Sequence, residues 1–178
     1  MRTFGPDTAT CEVLTFREGF LSAMAHDLLL RVGAFELEVD PAAPSVSARL
    51  DARSVRVVTA LRDGRPLPGA LRPADVRDIE KTISGTVLRA DRFPEIRFTS
   101  NAVSRAGDGY DVHGTLALCG ATGELSVPVR RDGDRLRAEV TIHQPAFGIR
   151  PYAAMLGTLR VRPDVIVRVS VPAEGILI

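Results

Sequence analysis

Apolar and polar residues alternate with a period of two through most of this chain, and no other feature restricts the fold as much. Phe35, Leu37 and Val39 alternate with Glu36, Glu38 and Asp40, and Val46, Ala48 and Leu50 with Ser47, Arg49 and Asp51. Tyr110, Val112, Gly114, Leu116 and Leu118 stand between Asp111, His113, Thr115 and Ala117. Three further runs follow: Leu125, Val127 and Val129; Leu136, Ala138, Val140 and Ile142; and Val165, Val167, Val169 and Val171. Successive strand residues point to opposite faces, so each run predicts a strand with one buried and one solvated face, as in antiparallel sheets. Adding Cys11–Glu18 and Leu28–Val32 gives roughly eight to ten strands, a number that suits a barrel or a sandwich.

Turn residues separate the runs. Gly107-Asp108-Gly109, Asp132-Gly133-Asp134 and Arg162-Pro163-Asp164 supply the positive φ and tight geometry that strand connections need. One stretch departs from the pattern. Val76, Ile79 and Ile83 are spaced at i, i+3 and i+7, Pro73 suits a first helical turn, and Asp75 and Asp78 lie near its positive end. This predicts a short amphipathic helix over 73–83, lying across one opening or edge. The preceding Leu61–Leu71 segment, rich in Arg, Gly and Pro, predicts an exposed loop. With no internal repeat or linker, residues 1–178 are expected to form a single domain.

The 23 basic and 22 acidic residues leave a net charge of +1, which gives no electrostatic footprint for nucleic acid. No secretory signal follows Met1, and no apolar run is long enough to cross a bilayer, so a cytoplasmic location is expected. In a reducing compartment the separate thiols of Cys11 and Cys119 are expected to stay free.

Candidate chemistry is sparse. His26-Asp27 is the one adjacent His–carboxylate pair, yet neighbours on a strand face opposite ways and are poorly placed for a catalytic dyad. A structural His26, bonded to backbone at a strand entrance, is the favoured reading. A metal site would need His26, His113 and His143 to converge, whereas alternation sends His113 and His143 to the outside. No catalytic residue, metal or cofactor is therefore assigned.

Four segments, in order, carry a family resemblance. Ala25-His26-Asp27-Leu28 resembles the His-bearing early strand of the YceI-like family of lipid-binding, lipocalin-like barrels. Arg92-Phe93-Pro94-Glu95-Ile96-Arg97-Phe98 resembles that family's aromatic-Pro-x-Ile-x-Phe signature. Gly114-Thr115-Leu116-Ala117-Leu118-Cys119-Gly120 is similar to its Gly-x-Leu strand and turn, and Phe147-Gly148-Ile149 to its late Phe-Gly-Ile element. The likeness runs from about Cys11 to Pro172. The chain departs from simpler members at Leu61–Leu71 and Tyr152–Gly157, and it lacks the export signal that many relatives carry.

The resemblance implies an all-β, eight-stranded antiparallel lipocalin-like barrel with one short helix. It also implies a polyisoprenoid or similar long apolar ligand, often a homodimer, and no catalytic residues. An outward Ile166 on the apolar final strand hints at a covered outer surface. The candidate ligand contacts are the apolar-face residues Leu28, Leu30, Phe35, Leu37, Phe98, Tyr110, Leu116 and Phe147, with Arg150 and Tyr152 at the rim for a head group. Three functions are ranked: carriage or sequestration of a long-chain lipid, a ligand-free structural or interaction module, and an enzyme on a small lipid using His26 or Tyr110.

Overall fold

The computed structural model describes residues 1–18, 26–154 and 159–176. Its strands begin with β1 (Arg2–Phe4), β2 (Thr10–Thr15), β3 (Arg17–Glu18), β4 (Asp27–Val32), β5 (Phe35–Asp40), β6 (Ser45–Asp51), β7 (Val55–Arg62) and β8 (Arg65–Leu67). After helix α1 (Pro73–Thr82) come β9 (Glu95–Ala106), β10 (Gly109–Leu118), β11 (Ala121–Asp132) and β12 (Arg135–His143). The last three are β13 (Ala153–Ala154), β14 (Leu159–Val161) and β15 (Asp164–Pro172). Ala25 and the 155–157 part of the Tyr152–Gly157 segment lie outside the described residues.

These fifteen strands exceed the expected eight, because two bends split two staves and five short strands lie outside the ring. β4 runs into β5 through Gly33 and Ala34, and β6 runs into β7 through a turn at Ala52–Ser54. Across the bend the two arms stay paired, Val32 opposite Val55 and Phe35 opposite Leu50. Gly33 N–H donates to Ser54 O (3.0 Å) and Asp51 N–H to Ala34 O (3.0 Å). On its other side the first arm pairs with β2 through β4, while the second pairs with β9 through β6. From β9 the ladder continues through β10, β11, β12 and β15, and β15 pairs back onto β2. Counting each bent arm once, eight antiparallel staves close a ring. β1 and β8 extend its flanks on β5 and β7, and β3, β13 and β14 make a separate small sheet.

Two strands carry an extra residue that breaks the alternation. Ala102 faces His113 but Ser100 faces Gly114, leaving Asn101 unpaired on β9. Thr59 faces Leu29 but Val57 faces Leu30, leaving Val58 on β7 outside the ladder and 45% exposed. Such bulges bend a strand and sharpen its twist. At the first one, Gly114 is required: a Cβ there would meet Thr99 O at 2.4 Å and the Phe98 ring at 2.7 Å.

The expected Leu61–Leu71 loop is corrected to a hairpin in its first half. Arg62 pairs with Arg65 around Asp63 (φ 53°) and Gly64 (φ 75°), a tight turn of the kind Asp-Gly favours. The predicted helix is present. Asp75 reaches back to accept the Arg72 N–H (3.0 Å) and pairs with its guanidinium (2.7 Å). That guanidinium, and then the backbone bond, hold the Asp75 carboxyl down at about 2. A wider π-type turn, Ile83–Val87, follows the helix.

One end of the ring is sealed. Phe4, Ala9, Val39, Tyr110, Val112, Leu136, Val171, Ala173 and Ile176 pack there as one buried cluster. The Tyr110 hydroxyl donates to Ile176 O (3.4 Å), and Ala173 N–H to Asp134 O (2.8 Å), so the segment after β15 folds back over the opening. The other end carries α1, the connection between β12 and β15, and the small sheet. Glu80 ties the helix to the wall by accepting the Val57 N–H (2.9 Å).

Candidate functional site: an apolar cavity with one polar end

The inward side chains of the staves surround a cavity of about 610 Å³, within the 300–1,000 Å³ range usual for ligand pockets. Its walls follow the alternation: Cys11 and Val13 from β2, Leu28 and Leu30 from β4, Phe35 and Leu37 from β5, Leu116 and Leu118 from β10, and Val165 to Val171 from β15. Ile79 and Ile83 complete the wall beneath the helix.

Of the ten expected ligand residues, Leu28, Leu30, Phe35, Leu37, Phe98, Tyr110, Leu116 and Tyr152 border the cavity. Phe147 and Arg150 do not. Phe147 is buried (4% exposed) with its ring against Gly123, where a Cβ would meet it at 3.0 Å, and Arg150 is exposed. The neighbouring signature residues also serve packing. Phe93 lies on Gly120 (φ 82°) of the β10–β11 turn, with the guanidiniums of Arg89 and Arg92 at 5.0 and 5.1 Å from its ring centre. Three of the resembling segments thus meet around the ends of β10 and β11.

Polar wall residues gather at the open end. Arg17, His26, Gln144, Tyr152 and Arg160 border the cavity there, with Thr15, Thr82 and Asp78. Among the described residues, Tyr110 alone contributes a polar group at the sealed end. His26 and Leu28 both face inward, which turns Asp27 to the other face, where its Oδ1 accepts the Arg17 N–H (2.8 Å). The backbone bond expected of His26 is therefore made by Asp27 instead; among the described residues the imidazole has no hydrogen-bond partner. His113 is exposed on the outer face, and His143 pairs there with Asp164 (Nδ1–Oδ1 2.6 Å).

Neither thiol is activated. Burial, helped by neighbouring Glu12, pushes the Cys11 thiol up to about 12. Burial also raises Cys119, against the opposing pull of Arg89, and its Sγ–H donates to Leu88 O (3.2 Å). A thiol so held is a small hydrophobic group rather than a nucleophile. Among the described residues no three His, Cys, Asp or Glu side chains gather as a metal site would require. No helix among them is long and apolar enough to cross a membrane.

Some wall residues were readable from the alternation although the candidate set left them out: Cys11, Val13, Val167 and Val169. Arg17, Gln144 and Arg160 sit on the β2–β4 and β12–β15 connections, and no periodic signal marks them.

A closed antiparallel barrel with an apolar interior and a helix at its open end is lipocalin-like in class. Residues 15–173 match the model of the YceI-like domain, and the chain belongs to that family. The crystal structure of BcnA from Burkholderia cenocepacia is similar over 91% of this chain and 94% of that one, at 18% identity and a TM-score of 0.62. A polyisoprenoid binding domain from Saccharophagus degradans, implicated in plant cell wall breakdown, matches over 94% and 97% at 13% identity, with a TM-score of 0.57. At these identities the likeness is one of fold. None of the curated proteins matches the sequence.

Proposed function

We propose that this barrel carries or sequesters a long, slender apolar molecule, such as a polyisoprenoid, a quinone-like lipid or a fatty acyl derivative, and performs no chemistry on it. The observation that carries this reading is the cavity of about 610 Å³ with walls built mostly from Val, Leu, Ile and Phe. Side chains leave this space unfilled, so the walls forgo the packing contacts that a close-packed interior would make. Water does not restore that loss, because apolar walls offer it few hydrogen bonds. A hydrocarbon chain does, at about 0.8 kcal/mol per buried methylene. The binding ascribed to the Saccharophagus domain agrees with this reading.

The test is Leu116→Trp, at a wall position mid-strand beside Phe98 and Gly123. In a cavity kept open for cargo the indole occupies ligand space, so the melting temperature is near that of wild type and solvent extracts of the variant hold little lipid. In a close-packed interior the same change costs about 1–3 kcal/mol and lowers the melt. A strongly destabilised variant, with wild-type extracts that stay empty after incubation with isoprenoid and quinone lipids, overturns the carrier reading. The same reading takes the chain as one domain acting in the cytoplasm, as a homodimer whose mass light scattering measures.

A further inference from the structure

Arginines face each other across the sheet at four places, and three of them are relieved in the same way. Arg31 stands opposite Arg56, Arg49 opposite Arg97, and Arg130 opposite Arg137. Like charges directly across a strand pair destabilise it. Each of these six guanidiniums has a carboxylate to offset the repulsion: Glu12 and Glu80, Glu36 and Glu95, Asp111 and Asp132. The exception is Arg62 opposite Arg65, across the β7–β8 turn. Both are exposed, and among the described residues neither side chain makes an ion pair or a hydrogen bond, even with Asp63 in the turn between them.

A second element repeats the pattern. Arg77 and Lys81 lie about one turn apart on α1, where like charges also repel. Successive helical residues are about 100° apart, so both stand on the side away from Ile79, which borders the cavity. They too are exposed and unpaired among the described residues. The acids of α1 are placed elsewhere: Asp75 holds Arg72, Glu80 holds the Val57 N–H, and Asp78 borders the cavity. Residues 56–82 contain six basic and four acidic side chains, whereas the rest of the chain has one acid more than it has bases. The protein's positive surplus therefore belongs to this hairpin and helix. The same segment leaves Val58 45% exposed, one of three large apolar side chains in the open among the described residues.

We propose that the β7–β8 hairpin and the outward face of α1 form a docking surface for an anionic lipid bilayer. Arg62, Arg65, Arg77 and Lys81 meet its phosphates, which relieve both repulsions, and Val58 adds an apolar contact among the head groups. A bilayer fits better than an acidic protein for a reason of place. Leu71, Ile79 and Ile83 of the same segment border the cavity, so the contact sets the barrel's open end against a reservoir of long apolar molecules. The charge pattern stands apart from the carrier reading, which supplies only the purpose of the contact.

The test is sedimentation of the whole protein with vesicles of phosphatidylcholine alone, or mixed equally with phosphatidylglycerol. Wild type is expected on the mixed vesicles and not on the neutral ones, and to leave them in about 1 M salt, where charges are screened beyond about 3 Å. Each cation near an anionic surface contributes about fivefold in partitioning. The double variant Arg62→Gln, Arg65→Gln should therefore bind about 25-fold more weakly, with a melting temperature no lower than wild type because a repulsion is gone. Arg77→Gln, Lys81→Gln should lose a similar factor. Arg105→Gln, Arg131→Gln removes the same charge from exposed positions at the sealed end and should change binding less than about twofold. An equal loss there overturns the docking face, as does equal binding to both vesicles or binding to neither. Leu116→Trp, which fills the cavity, separates docking from cargo capture. Attachment that persists in it supports the surface; attachment that vanishes with it traces to lipid entering the barrel and overturns docking. None of these failures removes the carrier reading, which the solvent extracts test separately.

Discussion

The two ends of the barrel solve opposite problems with the same inward face. At the sealed end Phe4, Leu136 and Ile176 are buried, and a tyrosine hydroxyl and a backbone N–H pin the covering segment down. At the open end the covering element is α1, none of whose residues is fully buried; its Glu80 carboxylate accepts the Val57 N–H and lies 3.9 Å from the Arg56 guanidinium. The helix over the open end is thus less buried than the plug, although a second buried cluster, with Leu118, Ile142, Phe147 and Ile149, packs around the ends of β10 and β12 at that end. Regions with few buried contacts open locally at low cost, which is what a carrier needs at one end and cannot tolerate at both.

The largest expected effect tests that division directly. Phe4→Ala removes a buried ring from the plug and should cost about 3–5 kcal/mol, read as a lower midpoint in urea with an unchanged slope. Ile79→Ala, a wall residue on the half-buried face of α1, should cost only about 1 kcal/mol. Equal losses at the two positions would break the comparison. Glu80→Ala comes next. It leaves the Val57 N–H without its carboxylate, for an expected loss of about 1.5–3 kcal/mol, and it should speed hydrogen exchange at Val57 and across α1 while leaving Tyr110 and Ile176 protected. If the plug's amides exchange faster as well, the ends are not independent. The smallest effect is one of pH. Asp75 is depressed to about 2 by Arg72, so what it contributes to the helix start is present above the ordinary carboxylate range and is lost as pH falls through about 2. An NMR titration should find the Arg72 amide shift flat from pH 7 to about 4, moving only near the acid limit.

What the sequence discloses divides along a different line. Runs such as Val165–Val171 keep strict alternation, and their inward residues are correctly read as wall or core because one face is uniformly apolar. β7 and β9 escape that reading for one physical reason: each carries a bulge, at Val58 and Asn101, and an extra residue shifts the phase of the pattern midway. β8 escapes because Arg and Pro dilute so short an edge, although Asp63-Gly64 marks its turn. The two bends that turn two staves into four short strands have only Gly33 and Ser54 to announce them. In the candidate site, the apolar wall is legible and the polar end is not. Arg17 and Arg160 resemble the other arginines of an Arg-rich chain until the ring closes, and Gln144 becomes distinctive only by being buried.

The pairing of β15 with β2 has a consequence for the order of events during synthesis. Leu14 and Ile166 are register partners, so the seam of the ring joins strands from near opposite ends of the described chain. A ribosome delivers β2 early and β15 after every other stave, and contacts of such sequence separation are slow to form because a long loop must close first. Until then the inner faces of seven strands form an open, curled sheet whose apolar side has no cover. The nascent chain therefore passes through a stage in which the future container is a trough, attractive to chaperones and to greasy molecules alike. On the carrier reading proposed above, a lipid encountered at that stage can be enclosed by the last strand without ever passing the helix, so first loading and later exchange need not share a route.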